Sequence, residues 1–140
     1  MLHIVSNNKR PERNRQGAGM AEKRILTVDD SGSVRSLVSR TLLDAGFDIV
    51  EAVDGADALE KVGDGVDLVI TDINMPNMGG IELLGRLRAR PETKFIPILV
   101  LTTESQRGLR DRAVAAGATG WIVKPFAPAS LVALVRRFLT

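Results

Sequence analysis

The chain has no cysteine and no tyrosine, and only one histidine and one tryptophan among its 140 residues. Without thiols it can build no disulfide framework, no cysteine nucleophile and no thiolate metal site. The single histidine, His3, lies in a basic leader, so the folded region has no histidine of its own to carry a phosphoryl group or act as a base. No apolar run approaches the ~20 residues that span a bilayer. Between Met1 and Gly19 only Leu2, Ile4 and Val5 are bulky and apolar, and a polar, basic run follows them. This stretch lacks the apolar core of a signal peptide, and a cytoplasmic location is expected.

What is present is enough for one packed domain, with 44% of the residues hydrophobic. The formal charge of +2 is unevenly spread: Lys9, Arg10, Arg13 and Arg15 against Glu12 give the first nineteen residues +3, which leaves −1 on the rest. Four charges without interleaved aromatics read as a solvated leader rather than a nucleic-acid site. The expected organisation is a basic, disordered tail over 1–22 and one domain over 23–140. Met20, just before Ala21 and the first strand pattern, is a candidate for the biological start.

From Lys23 onward, short apolar runs alternate with segments of helical period, the pattern of parallel strands covered by helices on both faces. Strands are expected at Ile25–Val28, Asp48–Ala52, Leu68–Thr71, Ile98–Thr102 and Gly120–Val123, with the second at an edge. The first helix carries Val34, Leu37, Val38, Leu42 and Ala45 and stops at Gly46. The second, about Gly55 to Val62, has Asp54 as its cap. The third, Gly80 to Arg90, should turn Ile81, Leu84 and Leu87 inward. The fourth, Ser105 to Ala116, has a thin stripe of Leu109, Ala113 and Ala116 and an interior Gly108, and is expected to be the loosest. The fifth, Pro128 to Leu139, should bury Leu131, Leu134, Val135 and Phe138. The expected fold is α/β: a doubly wound, five-stranded parallel sheet of order 2-1-3-4-5 with five helices.

In such sheets ligands sit beyond the carboxyl ends of the strands. Asp29 and Asp30 follow the first strand, Asp72 the third, Thr102 the fourth and Lys124 the fifth. If the first and third strands are neighbours, three carboxylates converge. Two carboxylates 4 Å apart repel by about 1 kcal/mol in water and about 4 kcal/mol at an effective dielectric constant of 20. Mg²⁺, which takes one or two carboxylates, keeps waters and binds phosphate oxygens, suits the site, with Lys124 as a second positive charge. Asp72 is then placed as a nucleophile toward phosphorus, and Thr102 as a hydroxyl donor to the resulting phosphate. Singly, each residue has a plainer role: a helix cap, a β-former or a solvated turn lysine. The specificity lies in the four strand ends together.

The strings Val28-Asp29-Asp30-Ser31, Thr71-Asp72-Ile73-Asn74-Met75-Pro76-Asn77-Met78-Gly79-Gly80, Leu101-Thr102-Thr103-Glu104 and Ala116 through Phe126 resemble the receiver domains of two-component response regulators, within them the stand-alone CheY-like group. The likeness spans about Lys23 to Leu139. It implies phosphorylation of Asp72 by a partner histidine kinase, with Mg²⁺ held by Asp30, Asp72 and the backbone carbonyl of Asn74, assisted by Asp29. It also implies Thr102 as switch hydroxyl, Lys124 paired with the phosphate, and a cis Lys124–Pro125 peptide. Such a protein is a monomeric switch that turns over only its own phosphate. It signals through the face of the fourth helix, fifth strand and fifth helix to a target protein, the flagellar motor switch or another two-component partner, without a membrane segment or nucleic acid. Trp121 stands at the switch position, where CheY-type proteins usually carry Tyr, and Thr103 follows the switch Thr where a smaller residue is common.

Two other classes fit less well. A phosphatase of the haloacid-dehalogenase kind would resemble Asp-x-Asp after the first strand, whereas here Asp29 and Asp30 are adjacent. A flavin or nucleotide binder would meet the acidic Asp29-Asp30-Ser31-Gly32 loop, which repels phosphate in the absence of a metal.

Overall fold

The computed structural model describes residues 3–4, 22–63 and 65–139. Its elements are β1 (His3–Ile4), β2 (Arg24–Val28), α1 (Gly32–Asp44), β3 (Asp48–Ala52), α2 (Gly55–Lys61), β4 (Leu68–Asp72), α3 (Gly80–Ala89), β5 (Ile98–Thr102), α4 (Arg107–Ala115), β6 (Gly120–Val123) and α5 (Pro128–Leu139), with a 3₁₀ turn at Glu104–Gln106 before α4. The sheet order is β1-β6-β5-β4-β2-β3, and β2 through β6 are parallel. Those five strands have the predicted 2-1-3-4-5 order, with β3 at the edge. The structure adds one strand to them: His3–Ile4 pairs antiparallel with β6, His3 opposite Trp121 and Ile4 opposite Gly120. Positions 1–2 and 5–21 of the expected tail lie outside the described residues.

Side chains on a strand point alternately to its two faces, so each apolar run feeds two cores. Leu26, Val28, Val69, Ile98, Val100 and Trp121 pack under α2, α3 and α4 with Leu83, Leu84, Leu87 and Ala113. Ile25, Leu68, Ile70, Leu99, Leu101 and Ile122 pack on the other face with Val38 and Leu42 of α1 and Leu131, Leu134 and Val135 of α5. Strands covered on both faces need continuous apolar sequence, which is why these runs show no polar alternation. Burying one such Leu, Ile or Val side chain contributes about 1.5–3 kcal/mol.

The helix ends follow local chemistry. Ser31 accepts the Val34 N–H at 3.3 Å and starts α1. Gly46, at φ +100°, turns the chain after it in a conformation that costs a side chain but not a glycine. Asp54 accepts the Asp57 N–H at 2.8 Å and caps α2, as predicted. Three details differ from the sequence reading. In α3, Leu83 is buried beside Leu84 and Leu87, while Ile81 is only half-buried, because the helix is rotated toward the sheet. Gly108 lies in the first turn of α4 rather than its interior, since the segment before it is a 3₁₀ turn. Phe138 is half-buried in the last turn of α5. Among the described residues of α4 only Ala113 is buried, so this helix is the least anchored, as expected.

Candidate functional site

The register of the sheet brings the polar strand ends together. Val28 pairs with Thr71, Asp72 with Leu101 and Thr102 with Val123. Asp29 and Asp30 therefore emerge beside Asp72, and Lys124 emerges beside Thr102. The Lys124 N–H donates to the Thr102 carbonyl at 2.6 Å, which extends the β5–β6 ladder by one step and sets the lysine at the rim. The Lys124–Pro125 peptide is cis.

Asp29, Asp30 and Asp72 each place a carboxylate oxygen within 4.8 Å of the others. Asp29 and Asp72 are buried and Asp30 is exposed. Opposite them the Lys124 ammonium lies 3.3 Å from Asp72 Oδ1, which also accepts the Ile73 N–H at 2.9 Å. Asp29 Oδ1 accepts the Ser31 N–H at 2.9 Å, whereas its buried Oδ2 has no hydrogen-bond partner among the described groups. Burial pushes the Asp29 carboxyl above its ordinary range, and the Ser31 N–H counters this. The charge of Asp72 pushes it up further, Lys124 draws it down and Asp30 pushes it up. A buried carboxylate oxygen without a donor is costly, and a cation ligated there removes the cost. The donor set, hard oxygens only, suits Mg²⁺.

The remaining predicted residues take distinct places. Thr102 is wholly buried at the end of β5, and its Oγ1 has no hydrogen-bond partner among the described groups. Asn74 is exposed in the β4–α3 loop. Trp121 is buried (8% exposed) on β6, with the Arg110 guanidinium of α4 4.7 Å from its ring centroid. Asp29, Asp30, Asp72 and Lys124 thus form one cluster at the strand ends, with Thr102 beside Lys124 at the end of β5, while Trp121 belongs to the core under α2, α3 and α4.

Sequence reasoning missed three contributors. Arg35 donates from Nη1 to the Asp29 carbonyl at 2.6 Å and from Nε to Glu51 at 2.8 Å, tying the β2–α1 turn to β3. Arg110 covers Trp121, and Asn77 is bonded to Asp54. Arg35 falls one turn into α1, where a basic residue is unremarkable, and the other two pairings join residues of different elements.

A profile for the response regulator receiver domain matches residues 25–136. The chain belongs to the response regulator receiver family. It is similar to chemotaxis protein CheY-3 of Vibrio cholerae, 47% identical over 111 residues that cover 77% of this chain and 85% of that protein. Among solved structures, CheY4 of Vibrio cholerae superimposes with a TM-score of 0.78 at 44% identity, covering 84% of this chain and 99% of the other. The receiver domain of a sensor histidine kinase from Pseudomonas aeruginosa PAO1, with a magnesium ion coordinated in its active-site cleft, superimposes with a TM-score of 0.79 at 25% identity over 85% and 98% of the two chains. This receiver is therefore CheY-like in fold and sequence, a component of two-component signalling with chemotaxis proteins among its relatives. No helix among its described residues is long and apolar enough to cross a membrane.

Proposed function

We propose that this receiver is a cytoplasmic phosphorylation switch in which Asp72 accepts a phosphoryl group from a partner histidine kinase. The observation that carries the reading is the placement of Asp72: a carboxylate ending a buried strand, 3.3 Å from the Lys124 ammonium and within 4.8 Å of two further carboxylates. Asp29, Asp30, Asp72 and the Asn74 backbone carbonyl would hold Mg²⁺, which when bound supplies positive charge to the phosphoryl oxygens.

The chain's own groups do the rest. An Asp72 carboxylate oxygen forms the new bond to phosphorus as the donor's bond breaks. The imidazole nitrogen of a phosphohistidine, or the acetate of acetyl phosphate, leaves with the electron pair. Lys124, already at Asp72, pairs with an equatorial phosphoryl oxygen and stabilises the charge that spreads there. Thr102 Oγ1, buried without a partner among the described groups, gains an acceptor in the phosphoryl group. Attack of water on phosphorus later restores the Asp72 carboxylate and releases phosphate. No external substrate is turned over.

The new contacts of Thr102 and Lys124 favour one of two conformations of the α4, β6 and α5 face around Trp121, which a downstream target protein, such as a flagellar motor switch, then reads. A shift from 1:99 to 99:1 needs about 5.5 kcal/mol of differential interaction, near the upper limit of the about 3–6 kcal/mol that two charge-assisted hydrogen bonds contribute, so activation is partial.

Intact-protein mass after incubation with acetyl phosphate tests the reading. One phosphoryl adduct is expected, dependent on Mg²⁺ and lost in Asp72→Asn. Absence of the adduct in the wild type would replace the switch with a binding scaffold.

A further inference from the structure

Two loops border the carboxylates. One leaves β3 and enters α2 at Asp54; the other, residues 73–79, leaves β4 at Asp72 and carries Asn74 on its way to α3. The second loop is held internally by the Met78 N–H to the Pro76 carbonyl at 2.8 Å and the Gly80 N–H to the Ile73 carbonyl at 2.8 Å. Asn77 takes a left-handed conformation, φ +68°, which Asn tolerates better than most side chains.

Asp54 joins the two loops. Its Oδ1 accepts the Asp57 N–H at 2.8 Å and caps α2, while its Oδ2 accepts Asn77 Nδ2–H at 3.0 Å. The Gly55 N–H donates to the Met78 carbonyl at 3.2 Å, and a Cβ at Gly55 would lie 2.7 Å from Met78 Cγ. The start of α2 is thus a stop against which the metal-side loop rests, and the Asp54–Asn77 bond fastens it there. Both carboxylate oxygens are engaged, and these two bonds hold the Asp54 carboxyl below its ordinary range.

We infer that Asp54 and Asn77 are positioning residues for the cation: their bond holds the 73–79 loop so that the Asn74 carbonyl is presented to Mg²⁺ without further ordering. The inference rests on the assignment of that carbonyl as a ligand under the proposed function. Mg²⁺ accepts only near-octahedral geometry at about 2.0–2.1 Å, so a carbonyl on an unfastened loop must be ordered at the moment of binding, and affinity falls. Partners one step behind a ligand typically change metal affinity by about 10–100-fold, and a single neutral amide belongs at the lower end.

The test is calorimetric titration of the full chain with MgCl₂. Asn77→Gly keeps the left-handed backbone and removes the amide. Asp54→Ser keeps a cap for α2 but cannot reach Asn77. Each should raise the Mg²⁺ dissociation constant about tenfold. The rate of phosphorylation by acetyl phosphate at saturating Mg²⁺ should stay close to wild type. The double variant should bind no more weakly than the weaker single one. Wild-type affinity in Asn77→Gly or additive losses in the double variant would overturn the positioning role. Absence of Mg²⁺ binding in the wild type would instead remove the cation site, and this inference with it.

Discussion

Arg110 stands over the only tryptophan of the chain, and its buried Nε has no hydrogen-bond partner among the described groups, so the indole face takes the place of an acceptor. Such contacts are worth about 0.5–2 kcal/mol. Arg110→Ala should uncover the indole, shift the protein's tryptophan emission to the red and raise its quenching by acrylamide; unchanged emission would mean that the surrounding core keeps Trp121 buried without Arg110. Asp54 makes a pH prediction. Its folded carboxyl lies below the ordinary range because the Asp57 N–H and then the Asn77 amide favour the charged form. The unfolded chain therefore takes up the proton first as pH falls, so the stabilisation is complete above the unfolded value of about 4 and is lost below it, through the folded value. Asp54→Asn should flatten the acid limb of stability between about pH 5 and pH 3, read as urea midpoints. At this scale the strand-end residues were legible because polar side chains ending apolar runs are conspicuous. Arg110 and Asn77 were not, since nothing in a window of sequence says which surface a helix or loop will meet.

Among the elements, α3 shows how close packing shapes the site. A Cβ at Gly80 would collide with the Asp72 carbonyl oxygen, so the helix can start directly against the end of β4 only with glycine there. Gly80→Ala should cost about 1–3 kcal/mol and displace Asp72; its unfolding midpoint and acetyl phosphate reactivity should fall together. Helix α4 lies at the other extreme, with only Ala113 buried among its described residues. Its amides should exchange with solvent faster than those of α3 or α5, and their protection should change on phosphorylation while that of α1 does not. Identical exchange in the two states would remove α4 from the switch. The five parallel strands were readable to within a residue, because a doubly covered strand is built from a continuous apolar run. Helix detail was less so: the choice of Leu83 over Ile81 and the 3₁₀ turn before α4 depend on how each helix rolls on the sheet, and helical period alone leaves that roll free by a residue either way.

For the whole molecule, the parallel order concentrates negative charge at one end of the sheet and leaves a cation to offset it. Metal binding to the folded state alone stabilises by mass action, about 2.7 kcal/mol at a hundredfold excess over the dissociation constant. Mg²⁺ should therefore raise the unfolding midpoint over that in EDTA. Asp29→Asn should reverse the balance, gaining about 1 kcal/mol in EDTA by relieving repulsion and losing most of the response to Mg²⁺. If Asp29→Asn were less stable in EDTA, the carboxylates would not be repelling one another. Sequence by itself determined the five parallel strands, the helices between them and the acidic, Thr and Lys residues at their carboxyl ends, because apolar runs and polar interruptions are local properties of the chain. Tertiary structure alone decided that His3–Ile4 closes on the edge of β6, that Arg110 covers Trp121 and that Asp54 fastens Asn77. Each of these joins residues of different elements, and such contacts depend on the twist and stacking of whole layers, which no local pattern encodes.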